Sequence, residues 1–324
     1  MQRRHFLQAS AGMTLVASGI ARAQGPWPQK PIRFVVPFPP GGGTDTTSRL
    51  IAEKLTLSDQ WTLVIDNKPG AGGNIGLDAV AKSAPDGYTI GMGQAANLAI
   101  NPALYPKMPF DPLKDFTPVA GVAEQPVVLV VRQDSPLRTL ADFIKAAKAR
   151  NGDMGIAQAG NGTVGHLAGE MLARRARVRV LQVPYKGAGP AMTDLLGGQV
   201  DAYFGNAVSV MPQLSAGKVR ALAVTSAKRL SALPSVPTVA EQGFAGFEAA
   251  TWLGLVGPAG LPADITARLS AATIKVLARP DVQQKLAQEG SVPTPQTSPQ
   301  FAAHIRAEHA KWGALIREAQ IKLS

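Results

Sequence analysis

Three consecutive glycines, Gly41, Gly42 and Gly43, stand between an apolar run, Ile32-Arg33-Phe34-Val35-Val36, and a helix-like run from Thr46 to Leu57. Strand, glycine-rich loop and helix in that order bring backbone close to a ligand, because no Cβ stands in the way. The helix start adds unpaired N–H groups and a partial positive charge, which suit an anion. A carboxylate is the anion expected here, held by the glycines and by Thr44. The loop lacks the Gly-Lys-Ser/Thr ending of a nucleotide-binding P-loop. A second glycine-rich stretch, Gly70 to Gly76, breaks the dinucleotide fingerprint at Ile75.

The other residues able to do chemistry are few. Asp45 sits beside the first loop, where a carboxylate would repel a bound carboxylate, so it reads as a helix cap; contact with a ligand amino or hydroxyl group, or with a bridging water, is the alternative. Gly160-Asn161-Gly162-Thr163 precedes another helix start, and Thr163 could cap that helix, donate to a ligand, or both. His166, one turn on, reads as a structural prop for this loop. Tyr185 and Lys186 follow a strand end, and Tyr185 could close over a ligand. Asn206 is a further candidate contact, and Ala96 and Asn97 follow a third strand where small residues leave room. Arg33 and Arg49 lie near the first loop, but a bidentate arginine grip on the carboxylate is not expected.

Catalysis needs a nucleophile with a base, a carboxylate pair or a metal. No serine sits in a GxSxG elbow, and acidic residues are sparse in the glycine loops, so no catalytic residue is assigned. There is no cysteine, and the four histidines do not form an HExxH pattern, which leaves no expected metal site and no cofactor. The formal net charge is +11 with basic residues scattered rather than striped among aromatics. That argues against nucleic acid as a partner and for a mild preference for anions.

The elements that must position these residues follow from the apolar pattern. Residues 1–23 read as an export signal: Arg3-Arg4-His5-Phe6-Leu7, an apolar run to Ile20, then Ala21-Arg22-Ala23. The paired arginines resemble a twin-arginine signal, with an ordinary Sec signal as the alternative. Cleavage near Ala23 would leave a protein working in the periplasm. Strands are expected at Ile32–Val36, Trp61–Ile65, Tyr88–Met92, Val127–Val131, Met154–Ala157, Val178–Val183, Val200–Phe204, Val219–Val224 and Thr251–Val256. Helices are expected between most of them and in the tail at Asp264–Leu277, Asp281–Glu289 and Pro299–Leu323. Asn101 to Phe116 reads as a loop. Strand–loop–helix repetition implies an α/β fold with a parallel sheet and helices on both faces. Two lobes are expected: residues 24–124 with 233–324, and residues 125–232. A ligand cleft should lie between them.

Taken together, Val36 to Asp45, Asn67 to Gly76, Ala84-Pro85-Asp86-Gly87-Tyr88-Thr89, Gly160 to Thr163 with His166, Val183 to Gly187, Ala221 to Thr225, Val236-Pro237-Thr238 and Trp252 resemble the Bug/TctC-type solute receptors of tripartite tricarboxylate transporters. The resemblance covers about Pro26 to Leu323. It implies a periplasmic-binding-protein-like, class II Venus-flytrap fold that closes on a small organic acid. In that family backbone N–H groups, hydroxyls and two bound waters hold the carboxylate, here from Phe38, Pro39 and the glycines through Asp45, and from Gly160 to His166. The implied partners are an organic acid and the membrane permease subunits of the transporter; the receptor is expected to act as a monomer. A ligand sensor feeding a signalling partner is the alternative, and a periplasmic enzyme a weaker one.

Overall fold

A computed structural model of the chain describes residues 27–318, 320 and 321. The export signal read in residues 1–23 lies outside the described residues. In chain order the first lobe opens with β1 (Ile32–Val36), α1 (Gly43–Asp59), β2 (Leu63–Asn67), α2 (Asn74–Ala81) and β3 (Thr89–Gln94). A π-helical turn, Ala96–Ile100, runs into α3 (Asn101–Leu104), so the stretch expected as loop begins helically. Next comes β4 (Phe116–Arg132), followed by α4 (Leu140–Arg150), β5 (Gly155–Gln158), α5 (Val164–Ala176), β6 (Leu181–Pro184), α6 (Ala188–Leu196), β7 (Ala202–Asn206), α7 (Ala207–Ser215) and β8 (Val219–Val224). The chain returns through β9 (Ala250–Pro258), α8 (Ala263–Leu277), α9 (Pro280–Gln288), β10 (Val292–Gln296) and α10 (Ser298–Glu318).

The expected parallel sheet is mixed. β1 pairs in parallel with β2 and β3, and β5 with β6 and β7, as the repeated strand–helix units require. The strands that carry the chain between lobes are antiparallel to their neighbours. β9 lies between β3 and β4 and runs against both. The first half of β4 also pairs with β10, and its second half pairs with β7 and β8. Sequence alternation could not show this: only the second half of β4, Val127–Val131, reads as an apolar run, buried on both faces, and the expected strand stopped there. Val127, Leu129 and Val131 enter one core while Val128 and Val130 enter another.

The two crossings between lobes meet at Thr225. Its hydroxyl accepts from the Val127 N–H at 2.9 Å and donates to the Ala249 carbonyl. The segment after β8 is tied back to β8 and α5 before β9 begins: the Gln242 side chain donates to Leu222 O and Arg175 to Ala245 O.

α1 shows how local sequence sets up the site. Thr44, Thr47, Ser48, Ile51, Ala52 and Leu55 fall on one buried face. Ile51 and Leu55 are fully buried against Ile32, Phe34 and Leu269, each contributing roughly 2 kcal/mol of apolar burial. The helix ends where Gln60 turns left-handed, its N–H bonded to Thr56 O. Its polar first turn faces the other lobe.

Candidate ligand-binding site

Four helices begin on one cavity between the lobes. Its wall is made by Phe38, Pro39, Pro40, Gly42, Gly43 and Thr44 at the start of α1, Thr163 and Gly165 at α5, Gly187 and Ala188 at α6, and Asn206 and Ser209 at α7. Gln94, Ala159, Tyr203, Phe204 and Thr251 complete it. The cavity volume is about 50 Å³, room for three or four water-sized groups at roughly 15 Å³ each. The caps of α1, α6 and α7 (Gly42, Gly187 and Asn206) make no side-chain capping bond. The orphan N–H groups of those first turns are therefore not met by a capping side chain. Each helix start carries about half a positive charge, so four present roughly two between them.

Neutral donors fill the gaps. Gln94 Nε2 donates to Thr44 Oγ1 at 3.2 Å. Thr251 Oγ1 donates to Asn206 Oδ1 at 3.1 Å, and Asn206 Nδ2 donates to Gln125 Oε1 at 3.2 Å. Gln125 Nε2 donates in turn to Gly43 O at 3.1 Å and to Thr47 Oγ1 at 2.9 Å. Tyr203 is fully buried, and Ser209 is the side chain that meets its hydroxyl. Burial pushes that phenol up to about 12, so it stays protonated and able to donate. Among the described residues no Asp, Glu, Lys or Arg lines the cavity. Arg33 is paired with Asp66 instead, and Arg49 with Asp45 and the Asn67 amide.

The sequence-derived candidates divide. Phe38, Pro39, Gly42, Gly43, Thr44, Thr163 and Asn206 line this cavity. Gly160, Asn161 and Tyr185 line a larger neighbouring chamber of about 430 Å³ that shares Phe38, Pro39, Ala159 and Gly187 as its partition. The Tyr185 hydroxyl donates to Asp194 at 2.7 Å, and burial with that carboxylate pushes the phenol up to about 12. Gly41, Gly162, His166, Ala96 and Asn97 line neither cavity. Asn97 is buried in the π-helical turn, accepting from the Gln94 N–H at 3.0 Å.

Asp45 is not the cap of α1; Gly42 is, and Asp45 sits one turn inside, 2% exposed. Its carboxylate accepts from the Gly41 N–H at 2.9 Å, Asn67 Nδ2 at 2.9 Å and Arg49 Nε at 2.9 Å. Burial works to raise its pKa, but Arg49, Asn67 and Gly41 together hold it below the ordinary value. It braces the loop from outside the cavity.

Thr163 caps α5, accepting the His166 N–H at 3.4 Å while its hydroxyl donates to Gly160 O at 2.7 Å. His166 is 1% exposed, and its Nδ1 accepts the Gly162 N–H at 3.3 Å. Burial lowers its pKa to about 4, so the ring is neutral and props the loop, as its position suggested.

Gln94, Gln125, Tyr203, Ser209 and Thr251 were not foreseen. Ser209 follows a strand end but lies on α7, a helix whose apolar pattern is interrupted by Pro212. Gln125, Tyr203 and Thr251 lie within strands, and only the pairing of β4 with β7 and β9 brings them together.

Comparison with known proteins adds independent findings. Residues 47–321 match the tripartite tricarboxylate transporter family receptor model. The chain is 37% identical over 320 residues to protein BugT of Bordetella pertussis, covering 98% of each. It is similar to an R. palustris protein solved with adipate (36% identity, TM-score 0.89, covering 91% of this chain and 99% of that one). It is also similar to MatC of Rhodopseudomonas palustris with bound malate (35% identity, TM-score 0.84, covering 90% of this chain and 100% of that one). The fold is thus the mixed α/β, class II periplasmic-binding-protein-like fold. The chain belongs to the tripartite tricarboxylate transporter family of receptors, which are periplasmic solute-binding proteins and not enzymes.

Proposed function

We propose that this receptor captures a small organic carboxylate in the cavity between its lobes and hands it to the membrane permease subunits of a tripartite tricarboxylate-type transporter. The observation that carries the reading is the convergence of four helix starts, three without a side-chain cap, on a cavity lined by neutral groups. That arrangement offers N–H donors and partial positive charge to an anion and holds no full charge to compete. Adipate and malate, the acids bound by its relatives, are the first candidates. We divide the mature chain into two lobes, residues 24–124 with 233–324 and residues 125–232 on the sequence reading, and place the return crossing later than that reading, at Ala249–Ala250, because Thr225 joins it there to Val127. We also read export with removal of the signal near Ala23.

Thermal unfolding of the mature protein with malate, adipate and their diamides tests the reading. An acid at about 100 times its Kd should stabilise the folded state by about 2.7 kcal/mol. The diamides, isosteric but uncharged, should stabilise little. Stabilisation by the diamides equal to that by the acids would overturn the carboxylate assignment.

A further inference from the structure

We propose that Gln125 is the positioning residue of this site, fixing which groups Asn206 and the start of α1 present to the ligand. The proposal rests on the carboxylate reading above. Gln125 is 0% exposed and lines no part of the cavity. It lies where β4 changes sheets: Gln125 is in register with Thr251 of β9, and Val127, two residues on, with Asn206 of β7.

Its amide orientation is forced. Gly43 O is a carbonyl and can only accept, so the Gln125 nitrogen must face it, with Thr47 Oγ1 taking the second N–H. The Gln125 oxygen then faces Asn206, which must answer with its own nitrogen. The Thr251 hydroxyl completes the chain by donating to Asn206 Oδ1. One Asn206 N–H remains for the cavity that this residue lines. Reversal of either amide would turn a carbonyl oxygen toward a bound carboxylate and repel it. Gly43 belongs to the same device. A Cβ there would stand 2.3 Å from Gln125 Oε1, so only glycine admits the amide.

The test uses the mature full-length protein and its Q125E and Q125L variants, with malate and adipate as the titrated acids. At about pH 8 an ionised glutamate at this position can only accept, cannot serve Gly43 O, and puts a charge behind the cavity. Affinity should fall about a hundredfold. At about pH 5 a glutamate in this dry position is protonated, because burial raises its pKa. It then donates to Gly43 O and accepts from Asn206, and affinity should return to within about tenfold of wild type. Q125L should be weak at both pH values, and the wild type should serve as the control at each. In the ligand-free protein the Asn206 side-chain amide NMR signals should titrate in Q125E and stay fixed in wild type. The wild-type Gln125 side-chain NH₂ should resist exchange with deuterated solvent, a measurement that needs no variant to fold.

Wild-type affinity retained by Q125E at both pH values would overturn the proposal. So would Asn206 signals indifferent to both variants, or a freely exchanging Gln125 amide. Should wild type bind neither acid, the carboxylate reading fails by itself, and the Asn206 and Gln125 signals still decide whether Gln125 sets the orientation.

Discussion

His166 shows how one buried side chain makes the loop it supports sensitive to acid. Its folded pKa is lowered by burial from 6.5 to about 4. Between those values the unfolded chain takes up a proton that the folded chain refuses. The stabilising contribution is therefore complete above 6.5 and is lost as pH falls toward 4, by about 3 kcal/mol in all. Denaturant unfolding across this range should show a shallower pH slope for His166→Gln than for wild type. Parallel profiles would mean that the ring is not held neutral. Asp45 acts in the same sense, at lower pH. Its pKa is lowered by Arg49, Asn67 and Gly41 against the pull of burial, so its support is present at neutral pH and fails only below the ordinary carboxylate range. These two groups brace the cradle loops from behind while neutral donors face the ligand.

At the scale of elements, the start of α1 separates two glycines that look alike in sequence. A Cβ on Gly42 would have only Pro39 O near it, at 3.8 Å, whereas one on Gly43 would collide with Gln125. Gly42→Ala should thus keep the unfolding free energy within about 0.5 kcal/mol of wild type, the range usual for harmless substitutions. It should still weaken carboxylate binding, about tenfold, because the methyl enters the cavity. Gly43→Ala should cost about 2 kcal/mol of stability and binding together. Paired melting and calorimetry on the two variants check this; equal behaviour would refute the distinction. Much of this element could be read from the chain. The strand ahead of the loop, the helix after it and the Thr163 cap of α5 depend on residues within a turn of each other. What could not be read arrives from afar. Gln125 reaches α1 from 82 residues away, and Asp45 lost its expected cap role because Asn67 and Arg49 drew its carboxylate back to Gly41. β10 carries two prolines, Pro293 and Pro295, and among the described residues pairs only with β4, so it gives no ordinary strand signal.

For the whole molecule, the crossings are the place where lobe geometry is set. Thr225 is 0% exposed and ties the Val127 N–H to the Ala249 carbonyl through one hydroxyl. Thr225→Val keeps the shape and leaves those two backbone groups without that partner. It should lower stability by about 2 kcal/mol, and it should loosen the relation between lobes, read as a larger radius of gyration in solution scattering without ligand. A compact variant with unchanged stability would remove Thr225 from that role. The lobes also touch where only glycine fits: a Cβ on Gly187 would stand 2.8 Å from Pro39 Cγ, and one on Gly72 2.9 Å from Asn161 O. The glycine loops therefore serve lobe contact as well as the proposed ligand contact, whereas a reading of their composition alone assigns them wholly to the ligand.

The four helix starts have a consequence for how the receptor should respond to salt. Mobile ions screen exposed charges over about 8 Å at physiological strength but reach dipoles inside a cleft between lobes far less. On the proposed reading the grip is made of such dipoles, while the approach of an anion is governed by the basic exterior, formally +11 over the whole sequence. Raising ionic strength should slow association several-fold and leave the dissociation rate nearly constant. Stopped-flow measurements over a salt series would separate the two. A dissociation rate that climbs with salt would mean that an exposed ion pair, not the buried helix ends, holds the acid.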